Sequence, residues 1–179
     1  MLCTGNVCRS PLAESLLRQA LAARALPVAV RSAGLLSDGR PVPRPGLEVA
    51  AARGFDLSAH ESRRMTAAVV RDADLILGMA RQHVLEAVAL DPEVWPKAFT
   101  LKELVRRGEA AGARPADVAV EGWLDRLHDG RRRDELLGES VADDVADPIG
   151  RPRRAYEQMA VELDDLVGRL VDLLWPASP

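Results

Sequence analysis

Apolar side chains recur at helical spacing between residues 10 and 25, where Leu12, Leu16, Leu17, Ala20 and Leu21 share one face. Pro11 stands just inside the start and Glu14 in the first turn, so the stretch is predicted as a helix with its entry signals in place. Residues 28–32 are short and β-branched and predict a strand. A loop with Gly39, Pro41, Pro43 and Pro45 follows, then a helical stretch over 46–53. Residues 73–79 are almost continuously apolar, which suits a strand buried on both faces, and 81–89 return to a helical period. A short strand is predicted at 97–100 and a helix over 101–107, after which the Ala, Gly and Pro of 108–115 predict a loosened segment. Residues 117–137 read as helical but broken at Gly122 and Gly130. From 152 to 174, Tyr156, Met159, Leu163, Leu166, Leu170 and Leu173 fall on one face of a long helix that docks at the C-terminal end.

Strands alternating with helices over short connections predict the α/β class, as a doubly wound parallel four-stranded sheet with helices on both faces. With 179 residues, 47% of them hydrophobic, the chain suits a single domain spanning 1–179. One position departs from the scheme. The loop and helix that begin at Cys3 need a central strand to feed them, and only Met1 and Leu2 precede it, so the first central strand is expected to be truncated.

The formal charge of -3 excludes a protein that coats polyanions, and no nucleic-acid partner is expected. Apolar runs such as 75–80 and 116–120 are far shorter than the roughly 18 residues of a membrane span. No leader pattern precedes Cys3, and a cytoplasmic location is expected. The two cysteines, Cys3 and Cys8, lie too close in sequence for a bridge between them to hold a fold together. They are candidates for chemistry.

The stretch Cys3, Thr4, Gly5, Asn6, Val7, Cys8, Arg9, Ser10, Pro11 places thiols, an arginine and a helix start in one tight loop. If the loop curls so that successive N–H groups point inward, they form a nest continuous with the free N–H groups of the helix, an arrangement that binds phosphate. Gly5 eases such a curl. Arg9 closes over the anion with a planar fork that matches two oxygens, where a lysine would offer a point charge. A helix N-terminus and a nearby cation favour a thiolate, which makes Cys3 the candidate nucleophile. Ser10 can donate its hydroxyl to that sulfur, and Asn6 can pin the loop through its amide.

The string from Cys3 through Pro11-Leu12-Ala13-Glu14 resembles the low-molecular-weight protein tyrosine phosphatase family. The resemblance continues through Val30 to Gly34, Gly39 to Pro41, Asp56 to Arg63, Ala73 to Leu75 and the late pair Asp147-Pro148. It covers nearly the whole chain apart from residues 108–144, which are longer than compact members need. It implies a two-step reaction in which Cys3 forms a phosphocysteine while Asp147 protonates the leaving oxygen, and water then attacks with Asp147 as base. Thr4, Gly5, Asn6, Val7, Cys8 and Ser10 would surround the phosphoryl group. Ser32 and His60 match the family's positions that hold the asparagine. No metal or cofactor is implied. The expected partner is a phosphorylated protein or small phosphomonoester, with inorganic phosphate as product.

Several residues read otherwise. Asp143 and Asp144 lie close to Asp147, but neither precedes a proline. His83 and His128 fall on predicted helices and are expected to face solvent. Arg131 to Arg133, followed by Asp134 and Glu135, predict a solvated, self-paired face. Trp95, Trp123 and Trp175 are read as packing residues. Family members that act on tyrosine carry an aromatic residue after Asp-Pro, where this chain has Ile149, and the loop 35–41 is short and lacks one too. Val7 resembles the tyrosine-directed members, whereas those that hydrolyse phosphoarginine have threonine there. Two alternatives accompany the phosphatase reading. One is a phosphate- or phosphoprotein-binding module without turnover; the other is an arsenate reductase using external thiols.

Overall fold

The computed structural model describes residues 1–176. Its centre is a parallel sheet of four short strands, β1 (Leu2–Cys3), β2 (Ala33–Gly34), β3 (Ile76–Gly78) and β4 (Ala98–Thr100), in the order β2-β1-β3-β4. Side chains alternate between the two faces, as the pleat requires. Cys3, Leu77 and Phe99 join one apolar cluster, and Leu2, Ile76 and Ala98 join the other. The first cluster is closed by α1 (Arg9–Ala23), α2 (Arg44–Ala51), α5 (Leu101–Ala111), α6 (Val120–His128) and α7 (Arg153–Leu174). The second is closed by α3 (Ala67–Arg71), α4 (Arg81–Leu90) and a 3₁₀ turn at Pro92–Lys97. The doubly wound parallel architecture is therefore the fold, with the carboxyl ends of its central strands feeding the loops before α1 and α4. Among the described residues no helix is long and apolar enough to cross a membrane.

The first central strand is only two residues long, yet Leu2 pairs with Ala33 on one side and Gly78 on the other, and its carbonyl accepts from the Met79 N–H at 2.8 Å. Three local expectations are corrected. Residues 28–32 do not form a strand, because β1 offers pairing only to Ala33 and Gly34. The Val30 carbonyl instead accepts from the Arg18 guanidinium at 2.6 and 3.0 Å. The helix predicted to end at 107 runs on to Ala111. Gly108 is buried within it because a Cβ there would come within 2.9 Å of Leu173 and 3.1 Å of Trp123. Gly122 lies inside α6 and does not break it.

The expected solvated arginine face is only partly so. Arg132 pairs with Asp134 in the open, but the Arg131 side chain is fully buried. Its guanidinium lies between the rings of Trp95 and Phe99, 3.9 and 3.8 Å from their centroids, and makes a two-pronged pair with Glu103 at 2.7 and 3.0 Å. Stacking on two rings suits the weakly hydrated, planar guanidinium. Glu103 also closes the capping box at the start of α5 with Thr100. The same contact brings His128, half-buried, edge-on to Trp95, so it is not solvent-facing either.

Candidate active site

The end of β1 delivers Cys3 to a tight loop that runs into α1, whose first turn carries Arg9 and Ser10. Cys3 Sγ accepts from the Asn6 N–H at 3.2 Å and from Ser10 Oγ at 3.0 Å. Among the described residues the N–H groups of Gly5, Val7 and Cys8 donate to no protein acceptor, as an anion cradle requires. The loop turns at Asn6, which sits in the left-handed region at φ 50°. That conformation costs a non-glycine residue about 1–2 kcal/mol.

The surroundings of Asn6 hold it there. Its side-chain amide donates to Ser10 Oγ at 2.9 Å and to Ser32 Oγ at 2.8 Å, and its side-chain oxygen accepts from the Arg63 N–H at 2.8 Å. His60 Nε2 donates to its carbonyl at 2.7 Å. Because the Asn6 amide nitrogen can only donate, Ser10 Oγ accepts from it and keeps its own proton for Cys3 Sγ. Behind the loop, β2 comes so close that a Cβ on Gly34 would lie 2.7 Å from the Asn6 nitrogen, so only glycine fits.

Arg9 is buried beneath the loop. Its Nη1 donates to the Val145 carbonyl at 3.1 Å, and its Nη2 donates to Thr4 Oγ1 at 3.2 Å and forms an ion pair with Asp147. Arg9 Nε is buried with no partner among the described residues, a donor that an anion in the loop would satisfy. Asp147 is 42% exposed at the rim, where its second oxygen accepts from the Ile149 N–H at 3.1 Å. The strand-like approach to it is anchored by the Val145 N–H on the Met79 carbonyl at 2.8 Å. Cys8 faces inward near Tyr156, and burial, followed by neighbouring Cys3 and Asp147, pushes its thiol up to about 12. Cys8 is thus held protonated. Val7 is buried with its side chain against Gly5.

The sequence therefore named residues that the fold brings together: Cys3, Arg9 and Asp147 meet around the loop, with Ser32 and His60 behind Asn6. Asp143 and Asp144 do not enter the site. Asp143 is buried and pairs with Arg81 at 2.6 Å and Arg106 at 2.9 Å. Burial alone would raise its pKa, but the hydrogen bonds from Arg106 and Arg81 outweigh it and hold the carboxyl below its usual range. Asp144 accepts from the Arg81 N–H at 2.8 Å and from the Ser140 N–H at 2.8 Å.

Sequence reasoning missed two residues. Ser62 is buried and braces loop 35–41, accepting from the Arg40 N–H at 3.0 Å and donating to the Ser37 carbonyl at 2.9 Å. His83, expected to face solvent, is 1% exposed, with Nε2 3.0 Å from Thr4 Oγ1. Its spacing from Val84, Ala87 and Val88 is that of a buried helical stripe, which is the signal that would have found it.

Known proteins resemble this chain in sequence and in fold. The family model for low molecular weight phosphotyrosine protein phosphatase matches residues 1–117. The low molecular weight protein-tyrosine-phosphatase Etp of Escherichia coli K12 is 37% identical over 110 residues, which span 61% of this chain and 72% of that protein. A protein-arginine-phosphatase of Bacillus subtilis is 29% identical over 175 residues, 97% of this chain and 93% of that one. The crystal structure of a low molecular weight protein tyrosine phosphatase from T. tengcongensis superposes with a TM-score of 0.72 at 29% identity, covering 97% of this chain and 96% of that one. The family model spans residues 1–117 of the 179, and the chain belongs to the low molecular weight phosphotyrosine protein phosphatase family.

Proposed function

We propose that this phosphatase works through a phosphocysteine at Cys3 and acts on phosphotyrosine in proteins or on a related small phosphomonoester. In the first step Cys3 Sγ attacks phosphorus in line; the P–S bond forms as the P–O bond to the leaving group breaks, and Asp147 hands its proton to that oxygen. Water then attacks phosphorus while Asp147 takes its proton, the P–S bond breaks, and inorganic phosphate leaves. Arg9 and the loop N–H groups hold the three phosphoryl oxygens through both steps. The observation that carries this reading is the pairing of a sulfur that already accepts two hydrogen bonds, from Asn6 and Ser10, with a buried Arg9 Nε that has none.

Substrate choice rests on the rim. Val7 is aliphatic, and Ile149, half exposed beyond Asp147, offers an apolar wall without an aromatic ring. Val7, with the 37% identity to a tyrosine phosphatase, favours an aryl phosphate, whereas the missing ring at Ile149 counts against it. The long match to a protein-arginine-phosphatase supports phosphoarginine as a second reading. Free thiols at the site suit a reducing, cytoplasmic setting. The test is hydrolysis of p-nitrophenyl phosphate without added metal, followed by phosphotyrosyl and phosphoarginyl peptides of one sequence. Turnover should survive a chelator, fall by more than about 10³-fold in Cys3→Ser and favour the phosphotyrosyl peptide. Activity retained in Cys3→Ser would overturn the mechanism, and preference for the phosphoarginyl peptide would overturn the substrate.

A further inference from the structure

His83 is a buried, titratable side chain for which the two-step reaction has no role. It stands in the first turn of α4, its Nε2 lies 3.0 Å from Thr4 Oγ1, and its Nδ1 has no partner among the described residues. Thr4 is the residue after the nucleophile. Its backbone is fixed, since its carbonyl accepts from the N–H groups of Leu35 at 2.9 Å and Leu36 at 3.1 Å. Its hydroxyl is the meeting point of two groups, His83 Nε2 and Arg9 Nη2.

The direction of these bonds follows from what each group can give. Arg9 has donors only, so Thr4 Oγ1 accepts from it. Burial first, and then the charge of Arg9, push the His83 pKa down to about 3, so the ring is neutral and one nitrogen carries the proton. A proton on Nδ1 would bury an N–H with nothing to bond. A proton on Nε2 leaves only a bare acceptor unpaired, which folded proteins tolerate more readily. With Nε2–H donating, Thr4 Oγ1 accepts twice and its own proton is released for a third partner.

We infer that His83 is a positioning residue for phosphoryl binding: its Nε2–H donates to Thr4 Oγ1, fixing that oxygen as the acceptor of Arg9 Nη2 and freeing the Thr4 hydroxyl proton for a phosphoryl oxygen in the loop. The inference rests on the phosphatase reading, because it assigns that proton to a bound phosphoryl group. It makes Thr4 a donor to substrate and His83 the group that turns it.

Two measurements test it. The imidazole nitrogens of the full chain, resolved by long-range proton–nitrogen NMR, should show the Nε2–H tautomer of His83 from about pH 5 to 8. Binding of inorganic phosphate, followed by calorimetry and as competitive inhibition, should weaken about tenfold in His83→Met, the scale of one hydrogen bond at a charged site. His83→Gln, which can present an N–H near the same place, should recover to within about threefold. In a Thr4→Val background His83→Met should add no further loss. An Nδ1–H tautomer, phosphate affinity unchanged in a folded His83→Met, or additive losses in the double variant would each overturn the inference. These failures are distinct from failure of the phosphatase reading, which would appear as a wild-type protein with no turnover whatever the tautomer. Should His83→Met fail to fold, the wild-type tautomer and Thr4→Val against Thr4→Ser decide the matter, with Thr4→Ser expected to keep phosphate affinity and Thr4→Val to lose it.

Discussion

Burial of His83 leaves a signature in stability as well as in binding. In the unfolded chain its imidazole takes up a proton near the ordinary value of about 6.5, whereas in the folded protein burial and the charge of Arg9 hold it down to about 3. Between those values the unfolded state binds more protons, so its contribution lowers folding stability as pH falls, by up to about 1.4 kcal/mol per pH unit. Denaturant midpoints measured from pH 7 to pH 4 should therefore fall less steeply in His83→Gln than in the wild type. Parallel slopes would mean that the ring is protonated in the fold. At this scale the make-up of the loop was legible, because Cys3, Asn6, Arg9 and Ser10 lie within one short stretch and the donors and acceptors they offer follow from residue type. The fates of His83 and Arg131 were hidden because they depend on which distant rings and hydroxyls the fold supplies.

Among elements, the approach to Asp147 is the one held by the most unusual means. Arg81 at the start of α4 grips Asp143 through its side chain and Asp144 through its backbone, Arg106 of α5 takes the other Asp143 oxygen, and Lys102 donates to the carbonyls of Val141 and Asp144. Two helices thereby set where Val145 meets Arg9 and where Asp147 stands. Asp147→Asn should depress turnover mainly on substrates with poor leaving groups, which need the proton. Asp143→Asn should copy that pattern at lower amplitude, losing about tenfold on a poor leaving group and little on p-nitrophenyl phosphate. Initial rates across a series of aryl phosphates check both. A uniform loss across the series in Asp143→Asn would show that the clamp serves stability alone. The strand and helix boundaries around this element were less legible than the loop. Residues 28–32 have the composition of a strand but no neighbour to pair with, and Gly108 resembles a helix end although it is a packing notch for Trp123 and Leu173.

For the whole molecule, a buried cation adds to the apolar packing of α6 and α7 in tying the segment beyond the family match at 117 into the core. Arg131 joins the 3₁₀ turn, β4 and α5 through Trp95, Ala98 and Glu103. Arg131→Met leaves Glu103 buried without its main partner, so the variant should lose about 3–5 kcal/mol of stability. Urea denaturation gives the value, and a loss below about 1 kcal/mol, as for an exposed pair, would place Arg131 outside the core.

The pairing of Arg9 with Asp147 has a bearing on life among other solutes. A carboxylate tethered beside the guanidinium is present at a local concentration that no freely diffusing monoanion matches, so chloride or acetate gains little by displacing it. A phosphoryl dianion arrives with more charge and with enough oxygens for the loop N–H groups and Arg9 Nε as well. The site thus holds its own competitor, which chloride or acetate is expected to displace poorly and a phosphoryl dianion more readily.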